Sequence, residues 1–299
     1  MIKLPIKIVQ LLWSCENNKV EHLNGYDKEL SKATFDIVST SPFVIQTDSV
    51  SILLTRDEND PNIENYQYAV LTNKKPRKSE FLKGNILSIR WIKHPTFTTL
   101  HPNEIAASWK GIFLYKKEDI PNSIFGLRAP QLGAIYAFMS KAQIHHGRNI
   151  IVMPTGTGKT ETMLSILIAN QCPKVLITVP SDALRDQLAN KFITLGILPK
   201  YEIVASDCIY PNVGIVKEGM DYNGWHSLIE KSNVIITTMP LIANSESTII
   251  DLLRANISHL FIDEAHHSEA KTWSEFIDSF DDEKVTLFTA TPFRNDSRR

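Results

Sequence analysis

Lys159 and Thr160 close the segment Met153-Pro154-Thr155-Gly156-Thr157-Gly158-Lys159-Thr160, which follows the apolar run Asn149–Val152 and precedes the helix-forming stretch Glu161–Ile168. A strand, a glycine turn and a helix in that order suit a phosphate group. Backbone N–H groups of the turn converge on the anion, glycines let the chain come close, and the positive end of the helix faces it. Here Pro154, Thr155, Gly156, Thr157 and Gly158 form the cradle. The Lys159 ammonium neutralises the β and γ phosphates, and the Thr160 hydroxyl ligates Mg²⁺. The general pattern G-x-x-x-x-G-K-[ST] asks for glycine at 153, where this chain has Met. Gly156 and Gly158 still bracket the turn, so the residues predict a nucleotide site.

Asp263 and Glu264 end a second apolar run, His259-Leu260-Phe261-Ile262. Two adjacent carboxylates at a strand tip can divide two tasks. Asp263 would hold Mg²⁺, directly or through water, and Glu264 would orient and deprotonate the attacking water. Taken alone, an Asp-Glu pair at a strand end is also an ordinary helix start.

Positioning such residues requires a particular framework. Short β-branched runs without polar alternation occur at 149–152, 174–179, 233–238, 259–262 and 284–289, between helical stretches such as 182–195. Strands of that kind are buried on both faces of a parallel sheet, joined by βαβ crossovers, with ligands gathering at their carboxyl ends. Upstream the texture differs. The runs 41–46, 50–55, 66–71, 86–92 and 111–115 alternate more and are separated by turn formers, which predicts a mostly antiparallel accessory domain holding one short capped helix at 102–109. The charged, proline-broken segment Lys117–Ser123 is the expected linker. The expected organisation is therefore a β-rich unit over 1–122 and an α/β nucleotide-binding unit over 123–299.

The 299-residue composition allows two such units. Lys and Arg (32) nearly balance Asp and Glu (33), so no global positive field announces a polyanion, and any nucleic-acid contact must be local. Cys15, Cys172 and Cys208 are too few and too scattered for a disulfide framework or a zinc site, which points to a reducing, cytoplasmic setting. No apolar stretch approaches the ~18 residues of a membrane span, and the amino terminus has no secretory pattern, so a soluble, unprocessed chain is expected. Lys74–Lys78 reads as a solvated turn, and Trp91, Phe97 and Trp109 as core.

In motif order the chain resembles the first RecA-like lobe of superfamily 2 helicases and translocases. Met153–Thr160 is similar to motif I, Val179–Gln187 to motif Ia, Ile236–Pro240 to motif Ib, Asp263–His266 to motif II in its DEAH form, and Thr289–Pro292 to motif III. Leu127-Arg128-Ala129-Pro130-Gln131 resembles the Q-type motif. The longer string Asp263–His267 with Trp273, followed by Thr291-Pro292-Phe293-Arg294, looks most like the branch holding restriction-enzyme motor subunits, some of whose members serve antiviral defence.

The resemblance implies a RecA-like parallel sheet flanked by helices, preceded by the β-rich accessory domain. It implies ATP with Mg²⁺, and Arg128 and Gln131 at the adenine, where a side-chain amide can both donate and accept. Ser181, Arg185 and Thr238 would meet the phosphates of a nucleic-acid track, DNA being favoured over RNA. His266, Thr289 and Thr291 would couple nucleotide state to that track. Singly, Ser181 and Thr238 also suit ordinary helix caps, and Arg185 a solvated helix face. A motor of this family needs a second RecA-like lobe with arginine fingers, for which no room follows motif III here. The lobe alone is therefore expected to turn over poorly. A nucleotide-gated binding subunit without turnover, or an RNA helicase fragment, are the alternatives. A small-molecule kinase or GTPase is disfavoured, since no N-K-x-D segment follows.

Overall fold

The computed structural model describes residues 2–3, 9–14, 20–26, 34–47, 50–72, 75–79, 89–93, 100–144, 147–264 and 271–291. His266, His267 and the Pro292-Phe293-Arg294 string lie outside this set, as do Cys15, Lys74 and Phe97. By their contacts the residues form two compact units, Met1–Leu12 with Leu23–Thr99, and Trp13–His22 with Leu100–Arg299.

The first unit is built on β1 (Ile2–Lys3), β4 (Thr34–Thr40), β5 (Phe43–Gln46), β6 (Ser51–Thr55), β7 (Tyr68–Thr72) and β8 (Ile89–Lys93), adjacent in that order. All neighbours are antiparallel except β6 and β7, which run parallel. The 3₁₀ turn Pro61–Asn65 lies in the β6–β7 connection and is started by Asp60, whose carboxylate accepts from the Asn62 amide. Phe35, Val44, Leu53 and Ala69 are buried. The expected strands at 41–46, 50–55 and 66–71 are present, and only one neighbouring pair departs from the antiparallel expectation.

The second unit has at its centre six parallel strands in the order β11 (Val213–Val216), β12 (Val234–Thr238), β10 (Val175–Val179), β13 (His259–Asp263), β14 (Val285–Thr289) and β9 (Asn149–Val152). Trp13 and Ser14, which end β2 (Val9–Ser14), and Val20–His22, which begin β3 (Val20–Tyr26), also belong to this unit, and these strands come next after β11 in the sheet order. Every residue of β10, β11, β12 and β14 is buried, which is why these runs carry no polar alternation. The described helices are α1 (Pro102–Ser108), α2 (Ala129–Ile144), α3 (Lys159–Ala169), α4 (Asp182–Thr194), α5 (Tyr222–Lys231), α6 (Met239–Ala243), α7 (Ser247–Asn256) and α8 (Lys271–Asp278). The arrangement is the expected RecA-like α/β fold. One face packs Trp225, Leu228, Leu252, Leu253, Phe276 and Phe280 against strand residues such as Leu176, Ile235 and Leu260.

The contacts divide the chain at Thr99/Leu100, so 100–122, read from sequence with the first unit, lie in the second. Long-range hydrogen bonds hold them there. The fully buried Asn233 donates through Nδ2 to Pro102 O (2.7 Å) and Pro173 O (3.1 Å), and Trp109 Nε1 donates to Ile209 O (2.8 Å). α1 forms as its sequence suggests, with a capping box between His101 and Glu104. The run 111–115 is not a strand; it makes an isolated bridge, Phe113 to Val204. Lys117–Ser123 is not an open linker either. Glu118 N bonds to Leu127 O (2.9 Å) and Asp119 N to Ile124 O (2.9 Å), closing a tight turn with the charged residues in its stem and Pro121 at its tip. Added at Gly126, a Cβ would lie 2.6 Å from Lys116 O, so the turn needs glycine there.

Candidate nucleotide and nucleic-acid sites

The glycine turn leaves β9 and enters α3 as expected. Met153 N donates to Thr289 O (2.9 Å), tying the start of the turn to the end of β14. Gly156 (φ +78°) and Gly158 (φ +93°) adopt the left-handed backbone that glycine favours. Thr157 Oγ1 donates to Pro154 O (2.6 Å), and Thr162 Oγ1 to Gly158 O (3.1 Å). Pro154, Thr155 and Gly156 are exposed, and a Cβ at Gly156 would meet nothing within 4 Å, so this part of the turn is uncovered. Gly158 caps α3 without a side-chain acceptor, which leaves the first-turn amides to an incoming anion.

Opposite this turn, β13 delivers Asp263 and Glu264. The Lys159 ammonium is bonded to Glu264 Oε1 and lies 3.9 Å from Asp263 Oδ1, contacts that span 105 positions of chain for the glutamate. All three side chains are partly buried. Glu264 itself has φ +53°, a left-handed backbone that costs an L-residue about 1–2 kcal/mol. Its amide donates to Asp263 Oδ1 (3.0 Å), which helps hold the kink and turns the glutamate back towards Lys159. One cation facing two carboxylates beside an exposed glycine turn is a donor set that fits a triphosphate with a divalent ion. Thr160, in the first turn of α3, is partly exposed beside them.

The Q-type segment latches onto the same turn. Arg128 Nη1 donates to Gly156 O (2.9 Å), and Gln131 Nε2 to Gly158 O (3.2 Å). Gln131 Oε1 accepts from Arg128 N (2.8 Å), and the residue is 3% exposed. Both ends of the amide therefore engage the protein's own backbone instead of presenting an edge to adenine. A Cβ on Gly158 would collide with Gln131 Nε2.

The residues expected at a nucleic-acid track divide. Ser181, exposed, caps α4, and Thr238, buried, caps α6; neither side chain bonds its own helix. Arg185 differs from expectation. It is 4% exposed, donating to Asp182 Oδ1 (2.6 Å), Asp186 Oδ1 (3.0 Å) and Val216 O (3.4 Å), so its guanidinium faces inward. Thr289 is buried, and its hydroxyl bridges Thr291 O (3.0 Å) and Thr291 N (3.3 Å), a turn that closes the loop after β14. One link went unread in the sequence: Glu161 on α3 pairs with Lys191 on α4, joining the nucleotide helix to the helix that starts at Ser181. Residues 30 apart on separate helices carry no local signal of such a pair.

No curated protein sequence matches the chain. Solved structures similar to it include the UvsW helicase from bacteriophage T4, at 14% identity and TM-score 0.40 over 63% of this chain and 60% of that one. Another is a hypothetical ATP-dependent RNA helicase from Sulfolobus tokodaii, at 19% and 0.41 over 63% and 51%. A third is the SWI2/SNF2 ATPase core of Sulfolobus solfataricus in complex with dsDNA, at 14% and 0.42 over 58% and 34%. The chain thus spans between about a third and 60% of these proteins. The family model described as type III restriction enzyme, res subunit, matches residues 124–294, more than half the chain and every motif of the site just described, and the chain belongs to that family, as a helicase-type ATPase lobe.

Proposed function

We propose that this lobe binds ATP with Mg²⁺ and couples its hydrolysis to movement along nucleic acid, DNA in preference to RNA, within a restriction or antiviral defence system. The observation that carries the reading is the meeting of Lys159 with Asp263 and Glu264 from two strand ends at an open glycine turn. Lys159 exchanges its carboxylate partner for phosphate oxygens when the triphosphate enters, and the amides at the start of α3 complete the cradle. Mg²⁺, when bound, offsets the charge of the phosphates, with Thr160 and Asp263 as its protein ligands. Glu264, released from Lys159, orients the attacking water and accepts its proton. Arg128 and Gln131 brace the cradle through Gly156 O and Gly158 O, and His266, Thr289 and Thr291 relay the nucleotide's state. Ser181 and Thr238 offer hydroxyls and helix-start amides to the phosphates of the track.

A second RecA-like lobe completes the catalytic centre with arginine. In that two-lobe assembly, Lys159→Ala weakens nucleotide binding, whereas Glu264→Gln retains ATP and stops turnover. Wild-type DNA-stimulated hydrolysis in either variant would refute the assignment. A subunit that gates binding without turnover would show no hydrolysis even when assembled, and ATPase assays with single-stranded DNA, duplex DNA and RNA identify the track.

A further inference from the structure

Arg185 stands out because a buried cation lies one turn inside a helix start read as meeting phosphate. Its partners are two carboxylates, Asp182 next to the Ser181 cap and Asp186 one turn further along the helix, whose side chains are 76% and 57% exposed. With Arg185 they leave one net negative charge where an anion is to bind. The guanidinium sits beneath both carboxylates, and its third bond reaches Val216 O at the end of β11, 31 positions away. A planar cation with fixed donors suits this three-way clamp in a way that an ammonium does not.

We infer that Arg185 is a positioning residue for the nucleic-acid track: it draws the Asp182 and Asp186 carboxylates back from the Ser181 helix start and fixes that start against the end of β11. The inference rests on the proposed track at Ser181. Arg185 does not touch the track; it acts through two acidic neighbours that otherwise oppose it. Removing the guanidinium takes the net charge there from minus one to minus two, and one added negative charge at roughly 6 Å from a phosphate, in a water-like medium, weakens binding about threefold.

The test is fluorescence anisotropy of a labelled single-stranded oligodeoxythymidine with the chain and a non-hydrolysable ATP analogue, at low salt. Arg185→Gln is expected to bind about threefold more weakly. The triple variant Arg185→Gln, Asp182→Asn, Asp186→Asn, with no net charge there, binds about threefold more tightly than the wild type, because the repelling charges leave with their partner. A purely structural role for Arg185 gives no such rescue, and a triple variant as weak as Arg185→Gln overturns the inference. Asp182→Asn alone removes an exposed charge and keeps the fold, so it decides the matter if Arg185→Gln is unstable. It binds about threefold more tightly under this inference, and unchanged or weaker binding refutes it. A wild-type chain that binds no oligonucleotide would instead refute the proposed track itself.

Discussion

Replacing Gly158 with alanine separates two demands that the structure places on one residue. The backbone at φ +93° costs an L-residue about 1–2 kcal/mol whatever surrounds it. The new Cβ also collides with Gln131 Nε2, so the buried amide must leave its bonds to Gly158 O and Arg128 N. Unsatisfied buried polar groups of this kind cost about 1–3 kcal/mol. Gly158→Ala is therefore expected to destabilise the second unit by about 2–5 kcal/mol. Gly156→Ala has similar backbone strain, at φ +78°, but its Cβ points into open space, and about 1–2 kcal/mol is expected. The difference isolates the Gln131 latch. Urea unfolding followed by tryptophan fluorescence reports it, because Trp109 and Trp225 are both buried in this unit. In a Gln131→Ala background the collision is removed, and Gly158→Ala should then cost no more than Gly156→Ala. Equal destabilisation by the two glycine variants in the wild-type background would refute the latch.

The partly buried His259 opens β13, bonded through its ring to Asn170 and Ser258; desolvation and then the nearby Lys284 charge push its pKa down to about 4. Its folded pKa lies below the unfolded value of 6.5, so this contribution to stability is complete above about pH 6.5 and is lost as pH falls towards 4. It amounts to up to about 3 kcal/mol. Urea midpoints compared between pH 7 and pH 4 should fall less steeply in His259→Asn than in the wild type, and parallel slopes would contradict this. Asn233→Ala strips partners from Pro102 O, Pro173 O and the Asn212 amide, and about 3–5 kcal/mol of lost stability with faster hydrogen exchange at Asn212 is expected. A loss below 1 kcal/mol would show that residues 100–102 are held by other means.

Much of the second unit was legible because its signals are local. Fully buried parallel strands show as unbroken β-branched runs, and the chemistry at their ends shows as glycine, lysine and paired acids at short spacing. What escaped depends on partners far away in sequence. Nothing around Pro102 or Trp109 announces that Asn233 and Ile209 will hold them, so 100–122 read as part of the domain before them. The turn at 117–123 read as a linker because proline and charge look alike in either setting; the cross-bonds to 124–127 decide it. Arg185 was misplaced for the same reason, since an arginine flanked by aspartates on a helix start looks solvated until β11 supplies Val216 O on its other side.

These long-range contacts also connect the nucleotide turn to the helix start at Ser181. Glu161 follows Lys159 by two residues on α3, and its ion pair with Lys191 lies near the far end of α4. Arg185 grips the near end of α4 against β11. With its start fixed against β11 and its far end paired to α3, α4 moves only together with both of them. The Met153 N to Thr289 O bond gives the loop carrying Thr291 the same kind of link to the turn. Under the proposed function, displacement of Lys159 from Glu264 would act on Ser181 and Thr291 along these chains of contacts, and coupling follows where an element they cross has two arrangements that both sites bias.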